Sequence, residues 1–176
     1  EDATASGQTI ADALMAVETC PKPVIAAIEG ACVGGGVSLA LACDIRIADM
    51  EAQFGITPAK LGLVYPAGDT RRLLQAIGPG KAKDLLFTGR LFGADEASNI
   101  GLVDRVAPAS KARLLARTLA ADIATNSQWS TRGIKHMISG LQAGWLDTDG
   151  EALALFVDSV AGEDFNEGQT AFLKKR

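Results

Sequence analysis

Apolar positions along the chain change their spacing several times, and each change marks an element. "IADALMAVETC" carries apolar residues at helical spacing, and the polar, small-residue stretch "EDATASGQT" before it reads as a loop with Thr9 as a possible helix cap. "PKPVIAAIEG" opens with two prolines and continues apolar and β-branched, which predicts a short buried strand over Val24 to Ile28. A glycine loop follows, then "VSLALAC" as a short apolar helix. "DIRIA", Asp44 to Ala48, alternates charged and apolar side chains as a strand does, and "AQFGI" predicts a third short strand. From "DTRRLLQAIG" onward the helical period dominates: Thr70 to Ile77 with Asp69 as N-cap, then "GKAKDLLFTG", then "GADEASNIG" with Asp95 as cap. "LVDRVAP" reads as an exposed strand or loop. Long amphipathic patterns then run through "KARLLARTLAADIATNS", "WSTRGIKHMISGLQAGW" and "DGEALALFVDSVAG", and "FNEGQTAFLKKR" closes as a helix with a basic end. The predicted class is α/β with a helix-rich second half.

Composition narrows the partners. The chain has 176 residues, 48% of them hydrophobic, enough for one sizeable core. With 17 Lys+Arg against 21 Asp+Glu, the formal charge of -4 gives no general reason to expect a nucleic-acid or membrane-surface partner. Cys20, Cys32 and Cys43 are an odd set without C-x-x-C spacing, and beside a single histidine they do not build a common zinc site, so no metal is expected. Reduced thiols point to a cytoplasmic protein. No apolar run reaches the roughly 18 residues that span a bilayer, and no signal-peptide pattern opens the chain, so it reads as soluble.

Candidate chemistry centres on "EGACVGGGVSLALACD", Glu29 to Asp44. The triple glycine lacks the G-x-G-x-x-G spacing of a dinucleotide site, and "GPGKAK" lacks both ends of a P-loop. Glycines where a loop enters a helix let a ligand approach free N–H groups that have the positive end of the helix dipole behind them, which suits an oxyanion. They equally permit tight packing of helix on strand, and spacing leaves both readings open. Ser38 in "GVSLA" comes close to the G-x-S-x-G elbow of serine hydrolases. That elbow needs the strand to run directly into the turn, whereas Gly30 to Gly34 intervenes here. His136, the one candidate base, sits in a helical pattern beside Lys135, so a hydrolase is disfavoured.

"KPVIAAIEGACVGGGVSLALACDIRIAD", followed by "FGITPAKLGLVYPAGDTRRL", "AKDLLFTGR" and "ASNIGLVDRVAP", resembles the enoyl-CoA hydratase/isomerase (crotonase) superfamily, in order and at family spacing from Pro21 to Pro108. The resemblance implies a crotonase-like spiral of ββα turns over residues 1–110 and a helical C-terminal region over 111–176. It also implies homotrimers or hexamers and an acyl-CoA substrate, with coenzyme A entering as part of that substrate and no separate cofactor. In such folds two backbone N–H groups bind the thioester oxygen and stabilise the enolate formed from it. Gly35 matches the second of these donors. The first belongs to an earlier loop, so the family's opening turns are expected to precede Glu1 and the chain to be incomplete at its N-terminus.

The departures from the family bear on the reaction. The two hydratase glutamates fall where this chain has Ser38 and Pro58, and the acid of isomerase and dehalogenase relatives falls at Pro66. Each positioned acid or base contributes on the order of 10²–10⁴-fold, so efficient hydration is not expected. Asp69 is the nearest carboxylate, and it reads first as an N-cap and otherwise as a base. "ITPAKLGLVY" is similar to a branch that includes methylmalonyl-CoA decarboxylase, with a tyrosine at the position of Tyr65. Loss of CO₂ from a malonyl-type thioester leaves the enolate directly, so no carboxylate base is required. The Tyr65 hydroxyl would orient the leaving carboxylate or donate a proton; the alternative is a loop-edge tyrosine with its hydroxyl in water. By resemblance Lys174, in the closing "FLKKR", would meet the CoA phosphates, although a helix C-terminus favours lysine without any ligand. Arg46 and Asp44 match positions that look structural. The function expected from the resemblance is enolate chemistry on an acyl-CoA by a decarboxylase or isomerase, with a true enoyl-CoA hydratase and a non-catalytic acyl-CoA-binding or assembly protein as alternatives.

Overall fold

The computed structural model describes residues 2–175, with side-chain environments from Ser6 onward. The elements run α1 (Asp2–Glu18), β1 (Ile25–Ile28), β2 (Ala31–Val33), α2 (Gly35–Ala42), β3 (Ile45–Asp49), β4 (Gln53–Gly55), a 3-10 turn (Pro58–Leu61), α3 (Ala67–Thr88), β5 (Leu91–Gly93), α4 (Ala94–Asn99), β6 (Arg105–Ala107), α5 (Ala112–Ala124), α6 (Gln128–Gln142), α7 (Gly150–Ala161) and α8 (Glu163–Leu173). Strands β1, β3 and β6 form one parallel sheet, with Ile25 opposite Ile45 and Ile47 opposite Arg105. Strands β2, β4 and β5 form a second, in which β2 and β4 are parallel and β5 is antiparallel to β4. Parallel neighbours need a crossover, and here β1 returns to β3 through β2 and α2, β2 to β4 through α2 and β3, and β3 to β6 through β4, α3, β5 and α4. The repeated strand–strand–helix order thus winds the chain as the expected ββα spiral.

Strand β3 shows why the first half is apolar on both faces. Ile47 packs with Ala107, Ala112 and Ala116 on the α5 side, whereas Ala48 belongs to the main core with Phe54, Leu73 and Leu85, and both strand residues are wholly buried. Arg46 and Asp44 fasten this sheet as expected: Arg46 pairs with Asp104 at 2.9 Å and donates to the Leu102 carbonyl, and Asp44 accepts the Val24 N–H. The chain divides into two compact units. One holds the described chain to Cys20 together with Val24–Ala120, and the other holds Pro21–Pro23 and the described chain from Ala121. The second unit consists of the helices α6 to α8 with the end of α5.

Several local expectations need correction. The polar start is helical, and Thr9 lies inside α1 rather than capping it; Gln8 donates to Asp12 one turn on, a pair that favours the helix. Asp69 does not cap α3, which starts earlier, behind Pro66, whose φ of -55° suits a helix entry. Asp95 lies in the first turn of α4 behind Gly93 and makes no capping bond. The stretch "LVDRVAP" is exposed only in part: β6 joins β3, and Leu102, Val103 and Ala107 are buried while Asp104, Arg105 and Pro108 face solvent. Strand β2 was not expected, because three residues beside a glycine run carry too little period to read.

Candidate active site

At the junction of β2 and α2 the backbone turns through Gly34, whose φ of 55° and ψ of -111° favour glycine, and whose N–H is tied to the Gly55 carbonyl at 2.9 Å. Helix α2 then starts at Gly35. Its first-turn N–H groups have no acceptor one turn back, and the helix dipole adds positive potential there. A Cβ at Gly35 would meet no described atom within 4 Å, and one at Gly36 would touch Cys32 Sγ at an ordinary 3.7 Å. Packing therefore does not demand glycine at these two positions, and an open space lies before the Gly35 backbone.

One turn into α2, Ser38 faces inward and is buried. Its hydroxyl lies 2.8 Å from the Tyr65 hydroxyl and 2.8 Å from Asp69 Oδ2. An ionised carboxylate only accepts, so the single Ser38 proton goes to Asp69 and the Tyr65 hydroxyl donates to Ser38 Oγ. Asp69 Oδ1 accepts from Arg72 Nη1 at 3.0 Å. Arg72 in turn donates through Nε and Nη2 to Glu18 Oε2, at 2.9 and 2.6 Å, and Arg71 reaches both oxygens of the same carboxylate. Ser38, Tyr65, Asp69 and Arg72 are all at most 7% exposed, so a polar chain crosses the core of this unit. Among the described residues no buried side-chain polar atom lacks a partner, as such a chain requires.

These contacts set the protonation states. Burial above all, reinforced by the charge of Asp69 and only partly offset by the Ser38 hydrogen bond, pushes the Tyr65 hydroxyl up to about 12. Tyr65 therefore keeps its proton at neutral pH and is not a phenolate. Burial alone pushes the Cys32 thiol to about 11, so it stays a neutral neighbour. Burial would raise the Glu18 carboxyl, but the hydrogen bonds of Arg71 and Arg72 outweigh it and hold Glu18 below the usual carboxylate range.

Three sequence candidates thus converge on one another. Ser38 comes from α2, Tyr65 from the loop before α3 and Asp69 from the first turn of α3. Tyr65 also lies 3.5 Å from the carbonyl oxygen of Gly34, the residue before Gly35, so the tyrosine and the helix N-terminus border one place. The loop-edge alternative for Tyr65 is corrected: its hydroxyl is bonded inside the protein. Pro58 opens the 3-10 turn, and Pro66 is the N-cap of α3. Lys174 is exposed at the C-cap of α8, in the second unit. His136 bonds Glu151 at 2.9 Å and meets Trp145 edge-on within that same unit, so Ser38 finds its partners elsewhere. Sequence reading missed Arg72 and Glu18. The i,i+3 spacing of Asp69 and Arg72 was a usable signal for the first, whereas no local pattern marks Glu18.

Chemically, the arrangement offers a backbone donor for an oxyanion and a protonated tyrosine beside it. The carboxylate nearest to them, Asp69, is engaged by Ser38 and Arg72. Among the described residues no group of His, Cys, Asp and Glu is placed to hold a metal ion, and no helix is long and apolar enough to cross a membrane.

Known proteins resemble the chain throughout. A family model described as enoyl-CoA hydratase/isomerase matches residues 1–176. A protein of Thermus thermophilus, provisionally named an enoyl-CoA hydratase, is 44% identical over 162 residues, covering 91% of this chain and 63% of that protein. A crotonyl-CoA hydratase of Syntrophomonas wolfei is 39% identical over 165 residues, covering 91% of this chain and 62% of that protein. A solved structure from Hyphomonas neptunium, provisionally described as an enoyl-CoA hydratase/isomerase family protein, superposes with a TM-score of 0.97 at 62% identity, over 100% of this chain and 68% of that one. The chain therefore spans 63% and 62% of the lengths of the two curated relatives.

Proposed function

This chain belongs to the enoyl-CoA hydratase/isomerase family, and from that membership we propose that it acts on an acyl-CoA thioester through an enolate seated at the N-terminus of α2, with Tyr65 as the proton donor. The observation that carries the reading is the Tyr65–Ser38–Asp69 contact, with both hydroxyl–oxygen distances at 2.8 Å, at the place where the resemblance puts a hydratase glutamate. The Gly35 N–H receives the thioester oxygen as negative charge develops on it, an interaction typically worth about 10²–10³ in rate per donor. Ser38 and Asp69 hold the Tyr65 side chain in position.

Decarboxylation of a malonyl-type thioester fits this donor set best, and double-bond isomerisation second. In decarboxylation the bond between the α-carbon and the carboxylate breaks, and its electron pair becomes the enolate. CO₂ leaves, the Tyr65 hydroxyl turns its proton from Ser38 Oγ to the α-carbon, and the phenolate left behind regains a proton from water before the next turnover. An enolate is a far stronger base than a phenolate, so the transfer runs downhill even from a hydroxyl whose pKa is about 12. No step needs a base, and a free carboxylate in the pocket would repel the substrate's own. The name of the Syntrophomonas relative favours hydration as a competing reading. Hydration needs one group to activate water and another to protonate carbon, and Ser38 and Pro58 supply neither as a carboxylate.

The test offers crotonyl-CoA and methylmalonyl-CoA in parallel to the intact protein, following loss of the double bond and release of CO₂. CO₂ release without hydration is the expected result, and Tyr65→Phe lowers its kcat by about 10²–10⁴-fold with KM little changed. Hydration near 10² per second overturns the reading in favour of a hydratase. Tight binding of both esters with no turnover, unaffected by Tyr65→Phe, overturns it in favour of a non-catalytic acyl-CoA binder.

A further inference from the structure

We propose that Glu18, the last residue of α1, is a positioning residue for this site, acting on Tyr65 through Arg72, Asp69 and Ser38 without touching the substrate. The inference rests on the reading of Tyr65 as proton donor and adds the element that orients it.

The placement of Glu18 is itself unusual. A carboxylate in the last turn of a helix faces the negative end of the dipole, and α1 has no basic residue in that turn to offset it. Arg71 and Arg72, both from α3, supply the compensation. Glu18 Oε2 holds one edge of the Arg72 guanidinium, through Nε and Nη2, and Asp69 Oδ1 takes Nη1. A planar group gripped from both sides cannot turn, so its direction is passed to Asp69.

The consequence runs inward one bond at a time. With Oδ1 committed to Arg72, Asp69 presents Oδ2 to Ser38. The Ser38 proton then belongs to Asp69, and the lone pair on Oγ is left for the Tyr65 proton. Two carboxylates and two guanidiniums balance in number, so no charge in the cluster is left without a partner. Removing the Glu18 charge leaves Arg72 in excess. Its fork is free to swing toward Asp69 Oδ2 and compete with Ser38, and the Tyr65 hydroxyl loses its fixed acceptor.

Glu18→Gln keeps the side-chain volume and removes the charge. It is expected to lower kcat about tenfold with KM within about twofold, since Glu18 does not contact the substrate. A second readout needs no turnover. Tyrosinate absorbance, taken as the difference between a protein and its Tyr65→Phe counterpart, reports Tyr65 alone, and its groups in view are Ser38, Asp69, Cys32 and Arg72. In Glu18→Gln this titration moves down by about half a pH unit or more, because an unopposed Arg72 stabilises the phenolate. Arg113→Gln, which loses an exposed ion pair to Glu29 in the same unit, serves as the control and moves neither readout. If Glu18→Gln does not fold, Glu18→Asp keeps the charge on an arm one methylene shorter, and the tenfold fall in kcat at unchanged KM is read from it. A Tyr65 titration and a kcat that both stay at the wild-type values, even with a lower melting temperature, overturn the proposal and leave Glu18 a structural clamp. Full turnover in Tyr65→Phe sinks the reading of Tyr65 as donor instead, and the titration still decides the role of Glu18 by itself.

Discussion

A buried phenol beside a carboxylate keeps its proton to higher pH than a tyrosine in water, and Tyr65 carries that cost into the stability of the fold. Its folded value of about 12 stands above the ordinary 10.0, chiefly through burial. A raised value contributes stability that is fully present below the unfolded value and is lost as pH rises toward the folded one. Between about pH 10 and 12 the unfolded chain therefore gains by ionising while the folded chain does not. Tyr65→Phe is expected to move the alkaline unfolding midpoint upward, measured by circular dichroism against pH; an unmoved midpoint would show that another group, such as the Cys32 thiol, sets alkaline unfolding. The same residue shows how far a motif reaches. "LGLVYPAGDTRRL" marks Tyr65 and Asp69 as polar groups worth attention, but only the approach of α2 to α3 reveals that their oxygens meet through Ser38.

Helix α1 joins the site mainly by its C-terminal end. Most of its side chains from Ser6 on are exposed, Leu14 is its buried apolar anchor at 6% exposure, and Glu18 provides its polar one. A long helix with one large buried side chain opens locally more readily than the sheet beneath it. Leu14→Ala is expected to destabilise by about 2–5 kcal/mol, and to raise hydrogen exchange along α1 while the amides of β3 stay protected. An equal loss of protection in β3 would show that α1 opens only with the whole unit. The boundaries of such elements were the least legible part of the sequence. Residues 2–8 look loop-like because they are small and polar, yet they extend a helix that the following turns nucleate. Asp69 looks like a cap because acids favour that position, yet Pro66 ends the preceding loop three residues earlier and turns Asp69 into the core, where Arg72 holds it.

For the whole molecule, acid is the condition that tests the charged contacts together. Hydrogen bonds from Arg113 hold Glu29 below the usual range, those from Arg90 do the same for Glu96, and Glu18 is held low against its own burial by Arg71 and Arg72. A lowered carboxylate contributes stability above its unfolded value and loses it as pH falls through the folded one. Thermal midpoints are therefore expected to drop once the pH passes below the ordinary 4.5 of these carboxyls. Salt weakens the exposed pairs but spares the Glu18–Arg72 contact, so Glu18→Gln should show the shallower acid profile in high salt. A profile identical to wild type would remove Glu18 from the acid response. The sequence by itself determined the family, the alternation of strands and helices and the glycine turn into α2, because each is written in local spacing and residue type. Only the tertiary structure decided that Asp69 is an engaged partner rather than a cap or a free base, that Tyr65 keeps its proton, and that Glu18 reaches the site at all. Those properties depend on burial and on oxygens brought together from three helices and a loop, and no local pattern encodes a distance between residues some fifty positions apart.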